Sequence, residues 1–148
     1  MGAINYVLGF LILGLALYAG ESARELRLQE RLAHERQAGT LISYARAAAS
    51  YARANPGASG SVSPGQLTLP VWLKVPGEIS AYVENGRGYA YASFATEAES
   101  FAVVAAMGGE ANAGVKKGGI AMSSGINQLA PWWPVPQAIP ERAAVVFF

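Results

Sequence analysis

One histidine, His34, and an absence of both cysteine and aspartate leave this 148-residue chain few side chains with which to do chemistry. A Ser-His-Asp relay lacks its Asp, and a thiolate nucleophile or thiolate metal site lacks its sulfur. Glu97 and Glu99 come closest to a paired-carboxylate site. At i, i+2 on a helix, however, they do not face each other. Lys116-Lys117-Gly118-Gly119 sets lysines beside glycines without the Gly-x-x-x-x-Gly-Lys-Ser/Thr order of a phosphate loop, and reads as a surface turn. His34 stands among alternating Glu and Arg and reads as a surface residue rather than a ligand. No catalytic, cofactor-binding or metal-binding residue is expected, and no small-molecule substrate. The net charge of +1 and the scattered basic residues give no stripe for nucleic acid.

What remains is contact chemistry carried by aromatic side chains. In "ISAYVENGRGYAYASF" two alternating runs flank Asn85-Gly86, the pair favoured in a two-residue type I′ hairpin. That register sets Glu84 opposite Arg87, Tyr82 opposite Tyr89 and Ser80 opposite Tyr91. Three tyrosines then share one face, and Ile79, Ala81, Val83, Gly88, Ala90 and Ala92 share the other. The tyrosine face fits a cross-strand cluster that stabilises the sheet. It also fits a protein-contact patch. Trp132 and Trp133, set among prolines, fit a cap on the core, a binding anchor or a membrane-surface contact.

The hairpin needs a partner for its small-residue face. In "GTLISYARAAASYARANPG" the residues Leu41, Tyr44, Ala45, Ala48, Tyr51 and Ala52 fall on one helical face. This face is expected to cover the alanines of the hairpin. Asn55-Pro56-Gly57 ends the helix, since a residue before proline avoids the α region. "NPGASGSVSPG" reads as a polar loop. "TEAESFAVVAAMGG" reads as a second helix, with Thr96 and Glu99 as a capping box and Gly108-Gly109 as the stop. "GVKKGGIAMSS" reads as a short strand pair or bulged strand, and "AAVVFF" as a last strand.

Upstream, residues 3–20 carry no charge, just long enough to cross a bilayer core, which takes about 20 apolar residues. A cleaved signal fits less well. No basic residue precedes the span, and cutting after Ala19 or Gly20 leaves Leu17 or Tyr18 at the −3 position. Gly9 and Gly14 are five apart and make no GxxxG face. A prepilin cut between Gly9 and Phe10 would put Gly14, not Glu, at the fifth mature position, so that signature fails. Beyond the span, "ESARELRLQERLAHER" pairs Glu and Arg at helical spacing, as a solvated stem does. Arg24, Arg27, Arg31 and Arg36 there favour a cytoplasmic domain by the positive-inside rule.

Taken in order, "YARANPGASGSVSPGQLTLPVWL", "YVENGRGYAYA", "GVKKGGIAMSS" and "IPERAAVV" resemble successive blocks of the PilM family of conjugative-plasmid proteins, from thin-pilus, type IVb systems. The unrelated actin-like ATPase that shares the name does not fit, because this chain is too short and lacks a nucleotide motif. The resemblance implies a non-enzymatic, single-pass inner-membrane accessory protein of pilus biogenesis. Its partners would be pilins or other pilus-assembly proteins, and its domain would be periplasmic, against the arginine count. It transfers no functional residue. A minor pilin or pseudopilin-like filament subunit is the alternative. The expected fold is α+β in a pilin-like layout. A transmembrane helix over residues 1–20 runs into a helical stem over 21–54. A Gly/Ser/Pro-rich loop covers 55–70, and 71–148 form a small α/β domain, completed by helix 41–54 packed on its small antiparallel sheet.

Overall fold

The computed structural model describes the backbone of residues 2–73, 77–109, 112–122 and 133–148; among residues 1–23 it describes the side chains of Leu15 and Glu21. The chain divides into two compact units, Met1–Ala33 and His34–Phe148. One helix, α1 (Gly2–Ala54), supplies the described part of the first unit and the opening of the second. The membrane-anchor expectation rests on residues 3–20, nearly all of whose side chains lie outside the described residues. Among the described residues, no helix is long and apolar enough to cross a membrane.

Among its described residues, the second unit holds a seven-stranded antiparallel sheet of order β1-β2-β3-β7-β4-β5-β6. The strands are β1 (Gly60–Val62), β2 (Ile79–Glu84), β3 (Arg87–Ala92), β4 (Asn112–Lys117), β5 (Ile120–Met122), β6 (Trp133–Pro134) and β7 (Ala144–Phe147). Helix α2 (Glu97–Ala106) joins β3 to β4. The fold is thus α+β, a long helix packed on a small antiparallel sheet.

The β2–β3 hairpin has the register its sequence dictates, with Glu84 opposite Arg87, Tyr82 opposite Tyr89 and Ser80 opposite Tyr91. Asn85 and Gly86 take φ of 53° and 75°, the positive pair a type I′ turn requires. Gly118-Gly119 does the same for the β4–β5 hairpin, at 60° and 81°. Of the helical face built around Leu41 and Tyr44, five residues are buried and Tyr51 is half-buried. They pack with Ala81, Val83, Ala90 and Ala92 in one core. Gly88 shows how close the layers come, since a Cβ there would lie 2.1 Å from the Ala49 nitrogen. A short residue in the strand is what lets the helix backbone approach.

Helix α2 carries the expected capping box. Thr96 Oγ1 accepts from the Glu99 N–H at 3.2 Å, and Glu99 Oε2 accepts from the Thr96 N–H at 3.1 Å. The stretch read as a polar loop is more structured than its composition implies. Within it lies β1, which extends the sheet beyond β2, and then a 3-10 turn, Pro64–Gln66. Backbone pairing needs no apolar side chains, so a Gly/Ser-rich segment can supply an edge strand. The final strand is central, because β7 sits between β3 and β4.

Candidate contact surface

The second face of the sheet carries the tyrosines. It is not left open. Residues 134–143 return across it, and Tyr89, Ala121, Val135, Ile139, Ala143, Val145 and Phe147 form a second buried cluster. Tyr82, Tyr91 and Trp133 flank that cluster half-buried. Tyr89 packs on Phe147 with ring centroids 5.7 Å apart, and Trp133 meets the same ring edge-on at 5.6 Å. Of the expected contact residues, then, Tyr89 belongs to the core of this face. Tyr82, Tyr91 and Trp133 keep partial exposure around it, and Trp132 lies outside the described residues. Burial pushes the Tyr89 hydroxyl above the ordinary tyrosine value. Arg87, by its charge and a hydrogen bond, opposes the shift, and Glu84 adds to it.

Lys116 holds the crossing segment in place. Its side chain is buried, and Nζ donates to the carbonyls of Pro136 at 3.1 Å, Gln137 at 3.3 Å and Ile139. Glu141 stands 3.6 Å from the same nitrogen, and its other oxygen accepts the Gly118 N–H at 2.9 Å. The backbone continues the join, with Arg142 N–H donating to the Lys116 carbonyl at 2.9 Å. From the other side, Ser100 Oγ on α2 donates to the Arg142 carbonyl at 2.7 Å. The surface-turn expectation therefore holds for Lys117, Gly118 and Gly119 but not for Lys116. Period-two alternation sends adjacent lysines to opposite faces of β4, and only Lys117 reaches solvent.

Between this segment and the hairpin tip lies a groove of about 650 Å³, with Glu84, Arg87 and Tyr89 on one side and Pro134, Pro136 and Gln137 on the other. The carboxylates weighed as a catalytic pair have structural partners. Glu99 caps α2, and Glu97 Oε1 lies 3.1 Å from Lys117 Nζ. His34 is a half-buried residue of α1. No group of three or more metal-ligating side chains occurs among the described residues.

Comparison with known proteins places this architecture. The PilM family model matches residues 9–147. The chain belongs to the PilM family. Its members are pilus-related proteins, and the family match runs from the apolar segment through the last strand. A crystal structure of a PilM protein from Escherichia coli B7A is similar in fold, with a TM-score of 0.54 at 19% identity over 81% of this chain and 94% of that one. A crystal structure of a PilM protein from Pseudomonas aeruginosa 2192 is 30% identical over 76% of this chain and 92% of that one, with a TM-score of 0.45. No curated protein sequence gives a significant match.

Two features of this PilM-family surface escaped the sequence reading. Lys116 was hidden by its neighbour Lys117, although strand alternation could have separated them. The other is Trp72, which is 73% exposed beside a fully exposed Val71. Its loop has no periodicity to say whether a tryptophan there points in or out.

Proposed function

We propose that this protein is a non-enzymatic inner-membrane accessory factor of type IVb (thin) pilus biogenesis. Residues 3–20 anchor it, and the sheet domain lies in the periplasm, where it contacts pilins or basal-body proteins. The family match over residues 9–147 carries the reading, because it takes in most of the apolar segment and the whole sheet domain. A surface built of aromatic edges, a polar groove and structurally engaged carboxylates supports a contact role over a chemical one. The test is an in-frame deletion in a piliated host. Thin pili should disappear and return with the wild-type gene, and the chain should stay in the membrane pellet after carbonate extraction. Normal piliation in the deletion strain would overturn the assembly role, and a full-length soluble chain would overturn the anchor.

A minor-pilin reading has one observation in its favour, the continuous helix α1 that ends packed on an antiparallel sheet. Mass spectrometry of sheared pili separates the two. An accessory factor is absent from filaments and keeps its first residues, whereas a filament subunit is recovered with them.

A further inference from the structure

Val71 and Trp72 are the two central residues of a tight turn closed by the Leu73 N–H donating to the Pro70 carbonyl at 2.9 Å. Turn tips ordinarily hold Gly, Asn, Asp, Pro or Ser. This one presents two large apolar side chains to solvent. Nor is the turn loosely held, since Leu67 before it and Leu73 within it are both buried in the main core. A rigid base under an exposed tryptophan is the arrangement of a binding anchor, which loses little conformational freedom when it docks.

The same unit carries a pocket of matching kind. It encloses about 200 Å³, below the roughly 300–1,000 Å³ of ordinary small-molecule sites and suited to one bulky side chain. Buried Leu41, Ile79 and Ala92 and half-buried Phe94 supply apolar wall, and the exposed Arg36 and Glu78 stand at its edge. These are complementary to an indole. The apolar wall takes the ring, a guanidinium binds the π face, and a carboxylate accepts the ring N–H. We propose that Trp72 of one copy of the chain inserts into the Leu41–Phe94 pocket of a second copy. Each copy carries both knob and pocket, so two copies can exchange them reciprocally or chain head to tail. The proposal does not depend on the pilus reading.

The chain has no native cysteine, so single introduced thiols report contacts between copies without background. Two differently tagged full-length chains, one carrying Val71→Cys and the other Gln37→Cys, are co-expressed, and whole cells are treated with a short bis-maleimide. A mixed dimer should form. Adding Trp72→Ala to both chains should cut its yield about tenfold or more, the scale for losing a buried interface tryptophan. Filling the pocket with Thr40→Trp in both chains should do the same. Trp72 is exposed, so Trp72→Ala should leave the melting temperature unchanged, which keeps the test independent of folding. Absence of the mixed dimer would overturn the proposal, as would a mixed dimer that survives Trp72→Ala. A Trp72→Ala assembly defect without any mixed dimer would assign the knob to a different protein and equally overturn self-pairing.

Discussion

Replacing Lys116 by methionine should destabilise the sheet domain far more than the same change at Lys117. The side chain of Lys116 is only 4% exposed. Its ammonium serves three backbone carbonyls, and Glu141 lies within ion-pair distance. A hydrogen bond to a charged group contributes about 1.5–3 kcal/mol. Simple addition over three would overshoot, because the segment carrying the carbonyls can shift and let water in. Leaving a buried carbonyl without its donor costs about 1–3 kcal/mol, the pairing with Glu141, itself 56% exposed, adds at most about 1 kcal/mol, and methionine returns some apolar burial. A net loss of about 3 kcal/mol follows, or roughly 10 °C in melting temperature for a domain of this size. Lys117 makes its 3.1 Å contact with Glu97 while its side chain is 62% exposed. Such a pair is worth at most about 1 kcal/mol. Lys116→Arg should not rescue, since a planar guanidinium cannot reproduce the compact ammonium's contacts. Urea denaturation followed by tryptophan fluorescence reads both variants, with Trp133 reporting the crossing segment directly. If Lys116→Met costs no more than Lys117→Met, the account of Lys116 as the clamp is wrong.

Other substitutions test the two cores separately. Gly88→Ala should cost about 3 kcal/mol or more, because the clashing atoms belong to the α1 backbone and cannot rotate away; an unchanged melt would refute the close approach. Tyr89→Ala should destabilise by about 3 kcal/mol, whereas half-buried Tyr82→Ala should cost much less while lowering piliation; equal melting shifts would count against this division. Tyr44 is fully buried, and its hydroxyl finds no hydrogen-bond partner among the described residues, so Tyr44→Phe should raise stability by about 1 kcal/mol in the same denaturation assay. Burial holds the Tyr44 and Tyr89 hydroxyls above the ordinary value of 10.0. Their contribution is therefore complete below pH 10.0, and is lost as pH rises through the folded values. Melts at rising alkaline pH should show a decline that weakens when both are Phe.

The elements legible in the sequence are those fixed by local rules. Asn85-Gly86 pins the hairpin register to the residue, Thr96 and Glu99 mark the start of α2, and the Leu41, Tyr44, Ala48 spacing marks the face that α1 buries. Long-range order was not legible in the same way. No pattern within "AAVVFF" says that it will pair with β3 on one side and β4 on the other. Strand β1 was hidden because it pairs over three residues only, of which Val62 alone buries a side chain in the core, too short a run to show alternation. At the contact surface the hairpin placed the tyrosines on one face, but no local rule told how far the distant 134–143 segment would cover them.

That cover has a consequence for where partners can bind. All four residues of β7 are buried, with Ala144 and Val146 in the α1-side core and Val145 and Phe147 in the tyrosine-side core. A strand buried on both faces belongs to a sheet with no broad open side. The flat three-tyrosine patch suggested by the hairpin alone therefore shrinks to Tyr82 and Tyr91 at its margin. The groove by Glu84 and Arg87 remains open beside them. So does the Val71-Trp72 turn, which projects from the loop before β2. The turn is a loop tip, and the groove is formed by the ends of β2 and β3 facing the crossing segment; at such margins a domain covered on both faces can vary its contacts without disturbing its core. Substitutions at Arg87 or Trp72 should thus separate binding from folding, whereas substitutions at Tyr89 or Lys116 cannot.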